Sequence, residues 1–212
     1  MKKRFIALLT CIALILSAVC FSFDTEAASA KSILKKAYKQ MKKYDTVAYC
    51  YIDTYKENGQ KKSDAPGISI SDNSISHTIN NTSETWHLKS RAFTKTSYSD
   101  SWSLEKTEND NKTPDHYYGK KLFQYMLNNL NNPRIKKSTK KSYTIVGTSP
   151  LKDNLFSKIE YTINKKTYQV TGIVFYYNDF STSYDSKVTN YKWTITNMCY
   201  GHGKLKAPKL LK

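Results

Sequence analysis

The chain has 212 residues, 39% of them hydrophobic and 24% charged, and a formal net charge of +17. That supplies apolar material for one domain with a real core and excludes a disordered chain, while 7 Gly and 5 Pro exclude collagen-like and Pro/Gly-rich low-complexity sequences. Four Cys are too few for a disulfide scaffold.

Lys2, Lys3 and Arg4 open the chain, and an uncharged run follows from Phe5 to Phe23. Asp24 and Glu26 end the run, and Ala28-Ser29-Ala30 offers a small-residue cleavage pattern before Lys31. This predicts a signal peptide over residues 1–30 and a single exported domain over residues 31–212. A retained anchor is the rival, because the 19 uncharged residues can just span a bilayer. A lipid anchor on Cys20 would need Leu three places before it and a small residue directly before it, and those places hold Ser17 and Val19.

Ile33, Leu34, Ala37, Tyr38 and Met41 recur at helical spacing with lysines on the opposite face, so a helix is predicted from Ser32, its N-cap, to Tyr44. From Thr46 the period becomes two. Strands are predicted at Thr46–Tyr55, Ile68–Ile70, Ser74–Asn80, Thr85–Lys89, Arg91–Tyr98 and Ser101–Glu105, with a hairpin turn at Glu57-Asn58-Gly59-Gln60 and a polar stretch from Lys106 to Asp115. Helical spacing returns over Tyr118–Leu130 and is stopped by Asn131-Asn132-Pro133. Four more strands follow at Ser142–Thr148, Ser157–Asn164, Thr167–Tyr177 and Val188–Cys199. Ile159, Tyr161 and Ile163 alternate with polar neighbours, as do Tyr191, Trp193 and Ile195, which is the pattern of an antiparallel sheet with one buried face. Thr167–Tyr177 has few polar residues on either side, so both its faces are expected to be covered. The sum is an α+β domain: a large curved antiparallel sheet, open or half-barrel, with an N-terminal and a middle helix on its concave side.

Residues 133–212 carry 15 basic and 4 acidic groups, a net +11. Lys136, Lys137, Lys140, Lys141, Lys158, Lys165, Lys166 and Lys192 are therefore the candidate face for an anionic wall or membrane surface. The competing explanation is compositional, since Lys outnumbers Arg 31 to 3, and so few Arg argue against specific nucleic-acid reading. Cys50 and Cys199 remain in the exported domain and form the candidate disulfide, with buried free thiols as the alternative.

No catalytic signature is present. His77, His87, His116 and His202 stand in unrelated contexts, there is no G-x-S-x-G, and Asp179 and Asp185 sit in a turn-rich stretch. Cys199 and His202 have metal-like spacing but lack companions for a site. A non-enzymatic protein without cofactor or metal is expected.

The order of elements resembles the LolA/LppX-like fold of bacterial envelope lipoprotein carriers and lipid-binding lipoproteins. The likeness rests on the helix Ile33–Tyr44 running into the strand Val47–Tyr55, the aromatic segment Phe93–Trp102, and the middle helical stretch Lys121–Leu127. It continues in the hairpin Lys158–Tyr168 and a last strand, Tyr191–Tyr200, that ends near Pro208. It is a likeness of layout and carries no residue-by-residue site. With the abundance of aromatics it implies an exported envelope protein, secreted or held at the outer face of a Gram-positive-like membrane or wall, that binds a lipid or acyl chain. The candidate cavity lining is Trp86, Phe93, Trp102, Leu122, Met126, Tyr161, Tyr168, Val174, Tyr191 and Trp193. The alternative is a basic surface protein without a ligand cavity.

Overall fold

The computed structural model describes residues 29–88, 91–99, 101–106, 119–151, 155–182 and 186–211. The expected leader up to Ala28, Lys89, His116, Tyr118, Asp185 and the polar stretch after Lys106 lie outside them.

Helix α1 covers residues 29–42. Its stripe Ala30, Ile33, Leu34, Ala37 and Met41 is buried, while Lys35, Lys36, Lys39 and Lys42 stay exposed. Ser32 therefore lies inside the helix instead of capping it, because Ala30 extends the stripe by one turn. Strands β1 (Thr46–Glu57), β2 (Gln60–Ser63), β3 (Gly67–Ser71), β4 (Ile75–Ile79), β5 (Ser83–Leu88), β6 (Arg91–Thr96) and β7 (Ser103–Lys106) come next, then helix α2 (Gly119–Asn129). They are followed by β8 (Asn131–Ser138), β9 (Ser142–Thr148), β10 (Phe156–Asn164), β11 (Val170–Tyr177), β12 (Phe180–Ser181) and β13 (Lys187–Gly201), with a closing 3-10 turn at Lys209–Leu211.

Among the described residues these thirteen strands form one antiparallel sheet in the order β7-β6-β5-β4-β3-β1-β13-β11-β10-β9-β8, with β2 on β1 and β12 on β13. The first and last long strands lie side by side at its centre. The earlier strands meander to one side and the later ones to the other. The end strands β7 and β8 are not paired with each other, so the curved sheet is open and not a closed barrel. Both helices pack on one face, here called the helix face.

That face is apolar only on its C-terminal half. Val47 and Tyr49 of β1, Ile159, Tyr161 and Ile163 of β10, Ile173 and Phe175 of β11 and Ile195 of β13 join the two helices in one buried cluster. Paired residues share a face of a sheet, so the ladder continues from Val47 and Tyr49 to Ser71 and Ser69, then to Ser76 and Thr78, and on to His87 and Thr85. The N-terminal half of the helix face is thus built largely of polar residues, with Ser69 Oγ 3.1 Å from Thr78 Oγ1. The apolar residues of these strands point the other way. Trp86 is buried on the outer face with Ala207 and Leu211, and Ile75, Leu88, Phe93 and Trp102 pack around them.

Three sequence expectations change. Asn131-Asn132-Pro133 stops α2 but also begins β8, an edge strand where Pro costs no ladder bond. In β11 one extra residue is inserted opposite Thr162 and Ile163, so the inward series passes from Val170 to Ile173 and Phe175. Val174 consequently faces outward. Among the described residues the outward side of β11 meets side chains instead of a further layer: Lys158 and Lys192 lie over the Tyr176 ring at 3.7 and 5.4 Å, and their stems shield it.

Candidate functional site: an aromatic track on the helix face

Alternation along β11 and β13 puts large aromatics on the helix face at neighbouring positions, Phe175 opposite Trp193. Their rings are stacked with centroids 5.1 Å apart. Phe156 lies 4.9 Å from Phe175 and 4.7 Å from Tyr177, and Tyr177 lies 4.7 Å from Tyr191. Phe180 of β12, 41% exposed, is 6.0 Å from Tyr191. At the inner end Phe123 of α2, fully buried, touches Trp193 at 6.0 Å and Tyr49 at 5.1 Å. The rings form one track from an exposed rim to the underside of α2. These are the offset and edge-on separations that aromatic pairs favour.

The rim is polar. Asp53 stands on the helix face of β1, opposite Trp193. Burial pushes its carboxyl up to about 6; a hydrogen bond from Tyr191 opposes the rise and the charge of Asp64 adds to it. Burial first, then the Asp53 charge, pushes the Tyr191 phenol well above its ordinary value. Tyr55 stacks on Tyr191 at 5.4 Å, and its hydroxyl donates to Asp64 Oδ1 at 3.1 Å. Gly67 is needed beside this rim, because any side chain there would collide with the Tyr51 ring.

Deeper in, the Tyr161 hydroxyl is fully buried and has no hydrogen-bond partner among the described residues. Burial alone pushes this phenol far above its ordinary value. Tyr49, also buried, is pushed up to about 12 by burial against the opposing hydrogen bond of Ser69.

The structure splits the sequence-predicted lining. Leu122 and Met126 of α2, Tyr161 and Trp193 meet in the helix-face cluster, Tyr191 joins it through Tyr177, and Tyr168 contacts the middle of α1, with Lys36 Nζ 3.3 Å from its hydroxyl. Trp86, Phe93 and Trp102 are not brought to them; they form the separate outer cluster. Val174 lies on the outer face as well. Sequence reasoning missed Phe123, Phe156, Phe175, Tyr177, Phe180 and Asp53. Phe123 and Leu127 were legible as a second line of the α2 stripe, whereas the β11 set is hidden by the inserted residue.

The eight candidate lysines form two groups. Lys136 and Lys158 converge on Glu160 at 2.8 and 3.3 Å, with Lys192 across Tyr176. Burial pushes the Glu160 carboxyl up, but the two ammonium groups outweigh it and hold it below its ordinary value. Lys140, Lys141, Lys165 and Lys166 share one end of the sheet, where Lys165 N donates to the Lys141 carbonyl at 2.9 Å. Lys137 lies on β8 between the two groups.

The expected disulfide is not formed: Cys50 and Cys199 are free. Their strands are neighbours, but Cys50 faces Thr196 and Cys199 faces Ala48, with an extra residue of β13 between the two pairs. The two cysteines thus belong to different pairs of the ladder, and the inserted residue widens their offset.

The whole arrangement superposes on the Mycobacterium tuberculosis lipoprotein LppX with a TM-score of 0.52 at 10% identity, covering 85% of this chain and 99% of that one. The chain has a LolA/LppX-like fold. LprF from Mycobacterium bovis aligns at 11% identity and a TM-score of 0.49, covering 86% of this chain and 97% of that one. A LolA superfamily protein from Nitrosomonas europaea aligns at 9% identity and 0.34, over 86% and 96%. The sequence matches no family model and no curated protein. Within this LolA/LppX-like fold the aromatic track runs along the helix face of the sheet and ends at Phe123 of α2.

Proposed function

We propose that the chain is an exported, non-enzymatic envelope protein that binds a lipid or acyl chain on the helix face of its sheet. The aromatic track from Phe180 to Phe123 carries this reading. It offers a graded path from water to the buried apolar core beneath α2, with Asp53 and Tyr191 at its mouth to orient a polar group and the Tyr161 hydroxyl farther in. Such a mix of apolar walls and few polar groups is what small-molecule sites share. Helix α2 serves as the lid: its Leu122, Phe123, Met126 and Leu127 leave the sheet and the acyl chain takes their place. Burying ten methylenes stabilises the complex by about 8 kcal/mol at ~0.8 kcal/mol each, before the cost of association. The likeness to the Mycobacterium tuberculosis lipoprotein LppX supports the envelope part of this reading.

Export rests on the leader. Cleavage before Lys31 removes one buried methyl, that of Ala30, and leaves Ile33, Leu34, Ala37 and Met41 to hold α1. The location proposed is the outer face of a Gram-positive-like membrane or the wall.

The alternative, a basic surface protein without a ligand cavity, is supported by the Lys136, Lys158 and Lys192 array around Glu160. Its mark is adsorption to anionic surfaces that falls steeply with salt, as charges more than about 8 Å apart are screened near physiological ionic strength. The two readings separate in one titration. Delipidated mature protein is titrated with a polyene fatty acid, and the rim variants Phe180→Asp and Tyr177→Ser are titrated beside it. Micromolar binding weakened by both variants supports the carrier reading. No binding at all, with salt-sensitive adsorption intact, replaces it by the surface-protein reading.

A further inference from the structure

We propose a second ligand site, on the outer face of the sheet beneath the C-terminal tail, for a single-chain amphiphile with an anionic head. It is independent of the helix-face reading because the two sites lie on opposite sides of the sheet. A cavity of about 420 Å³ opens there, within the size range of small-molecule sites. Ile75 and Leu88 form its floor, Ala207 and Leu211 its roof, and Arg91 and Lys206 stand on its lining as the charged groups.

The sequence builds this site in two steps. Strands β4 to β6 turn their apolar residues outward, so Ile75 pairs with Leu88 and Leu88 with Arg91 across the ladder. The tail after β13 then crosses the β3–β4 turn and is tied down. Gly203 N donates to Asp45 Oδ2 at 2.8 Å, and Leu205 N donates to Asp72 Oδ2 at 3.2 Å. Asp72 is itself fixed by Ser74 N and Ile75 N at 2.7 and 2.8 Å. The 3-10 turn, closed by Leu211 N to the Pro208 carbonyl at 3.0 Å, drops Leu211 against Trp86, where it is 2% exposed. The roof is therefore held by hydrogen bonds before any ligand arrives, which lowers the ordering cost of binding.

Charge complementarity selects the occupant. No acidic residue lines the cavity among the described residues, and its two cations are exposed. The Arg91 guanidinium lies over the Phe93 ring at 5.8 Å, which sets it at the edge of the apolar floor. An alkyl chain lies in the cavity along Ile75, Leu88, Ala207 and Leu211, and a carboxylate or phosphate head meets Arg91 and Lys206. That chemistry is shared by a free fatty acid and by a lipid in a bilayer, and the site commits to the free amphiphile because the tail roofs the chain.

The test is calorimetric titration of the delipidated mature protein with dodecanoate, with 1-dodecanol and with phosphatidylglycerol vesicles. Arg91→Ser/Lys206→Ser is expected to weaken dodecanoate at least tenfold and leave dodecanol unchanged. Ala207→Phe, which fills the cavity, is expected to abolish binding of both at this site, and Leu88→Phe fills it from the floor should the first variant unfold. The helix-face rim variant Phe180→Asp is expected to leave the outer site untouched. The proposal is overturned if the cavity-filling variants bind as the unmodified chain does, if only Phe180→Asp removes binding, or if vesicles bind while dodecanoate does not.

Discussion

Trp86 and Trp193 stand on opposite faces of one continuous sheet. The ladder from Trp193 through Asp53 of β1 stays on the helix face, and the ladder through Trp86 runs from His77 to Phe93 on the outer face. The change of side falls between β1 and β3, where Ser69 and Ser71 turn inward and Ile68 and Ile70 outward. One sheet thereby carries two apolar clusters that share no residue.

Two clusters without shared partners should respond independently. Trp86→Ala and Trp193→Ala are each expected to cost about 3–5 kcal/mol at most. Their double variant is expected to cost the sum within about 0.5 kcal/mol. Urea unfolding of the four proteins measures this; a large coupling energy would mean the clusters form one core.

Asp53 makes stability depend on pH. Its carboxyl is pushed up to about 6 in the folded protein, above its ordinary value of 3.8 in the unfolded chain. Between these values the folded state keeps a proton that the unfolded state gives up, so stability falls as pH rises through about 6. Asp53→Asn is expected to stabilise the protein at pH 7.5, with the gain vanishing towards pH 4. Melting curves across that range check it, and a gain that persists at pH 4 contradicts it.

The thiols should titrate. Two equivalents of thiol reagent are expected to react with the mature protein, Cys199 faster because it is exposed and Cys50 half-buried. An intact mass two hydrogens lighter, with no reactive thiol, would show a bond instead.

The tail depends on Asp72. Its carboxylate accepts from Ser74 N, Ile75 N and Leu205 N, and its charge lies near Lys120, whose ammonium burial pushes down while Asp45 and Asp72 hold it up. Asp72→Ala removes the acceptor that these three amides share, at a cost of about 1–3 kcal/mol. Amide exchange at Leu205 and Leu211 is expected to speed up strongly, with β9 to β11 unaffected. Unchanged protection of the tail would mean other contacts hold it.

Much of this was legible in the residues. Period-two alternation located β1, β9, β10 and β13, and helical spacing located α1 and α2, because each buries one clean face. What alternation cannot reveal is which faces meet. The strands holding Trp86 and Phe93 alternate as clearly as the strand holding Trp193, yet only their pairing through β3 decides the side. Inserted residues hide more. The bulge in β11 moved Val174 outward and brought Phe175 in, and positive φ at Asn190 and Asn197 accompanies the two register shifts of β13, of which the one at Asn197 falls between the Cys50 and Cys199 pairs. Strand β8 was hidden by Pro133, whose edge position depends on the whole sheet order.

The most direct test of apolar-ligand binding is native mass spectrometry of the purified mature protein before and after lipid extraction. It is paired with displacement of a fluorescent fatty acid in the unmodified chain and in Phe180→Asp. Expected is a co-purifying amphiphile of lipid mass that extraction removes, and micromolar displacement that the rim variant weakens. A protein that carries nothing and binds nothing, in a folded state with Phe123, Phe175 and Trp193 permanently packed together, would contradict it.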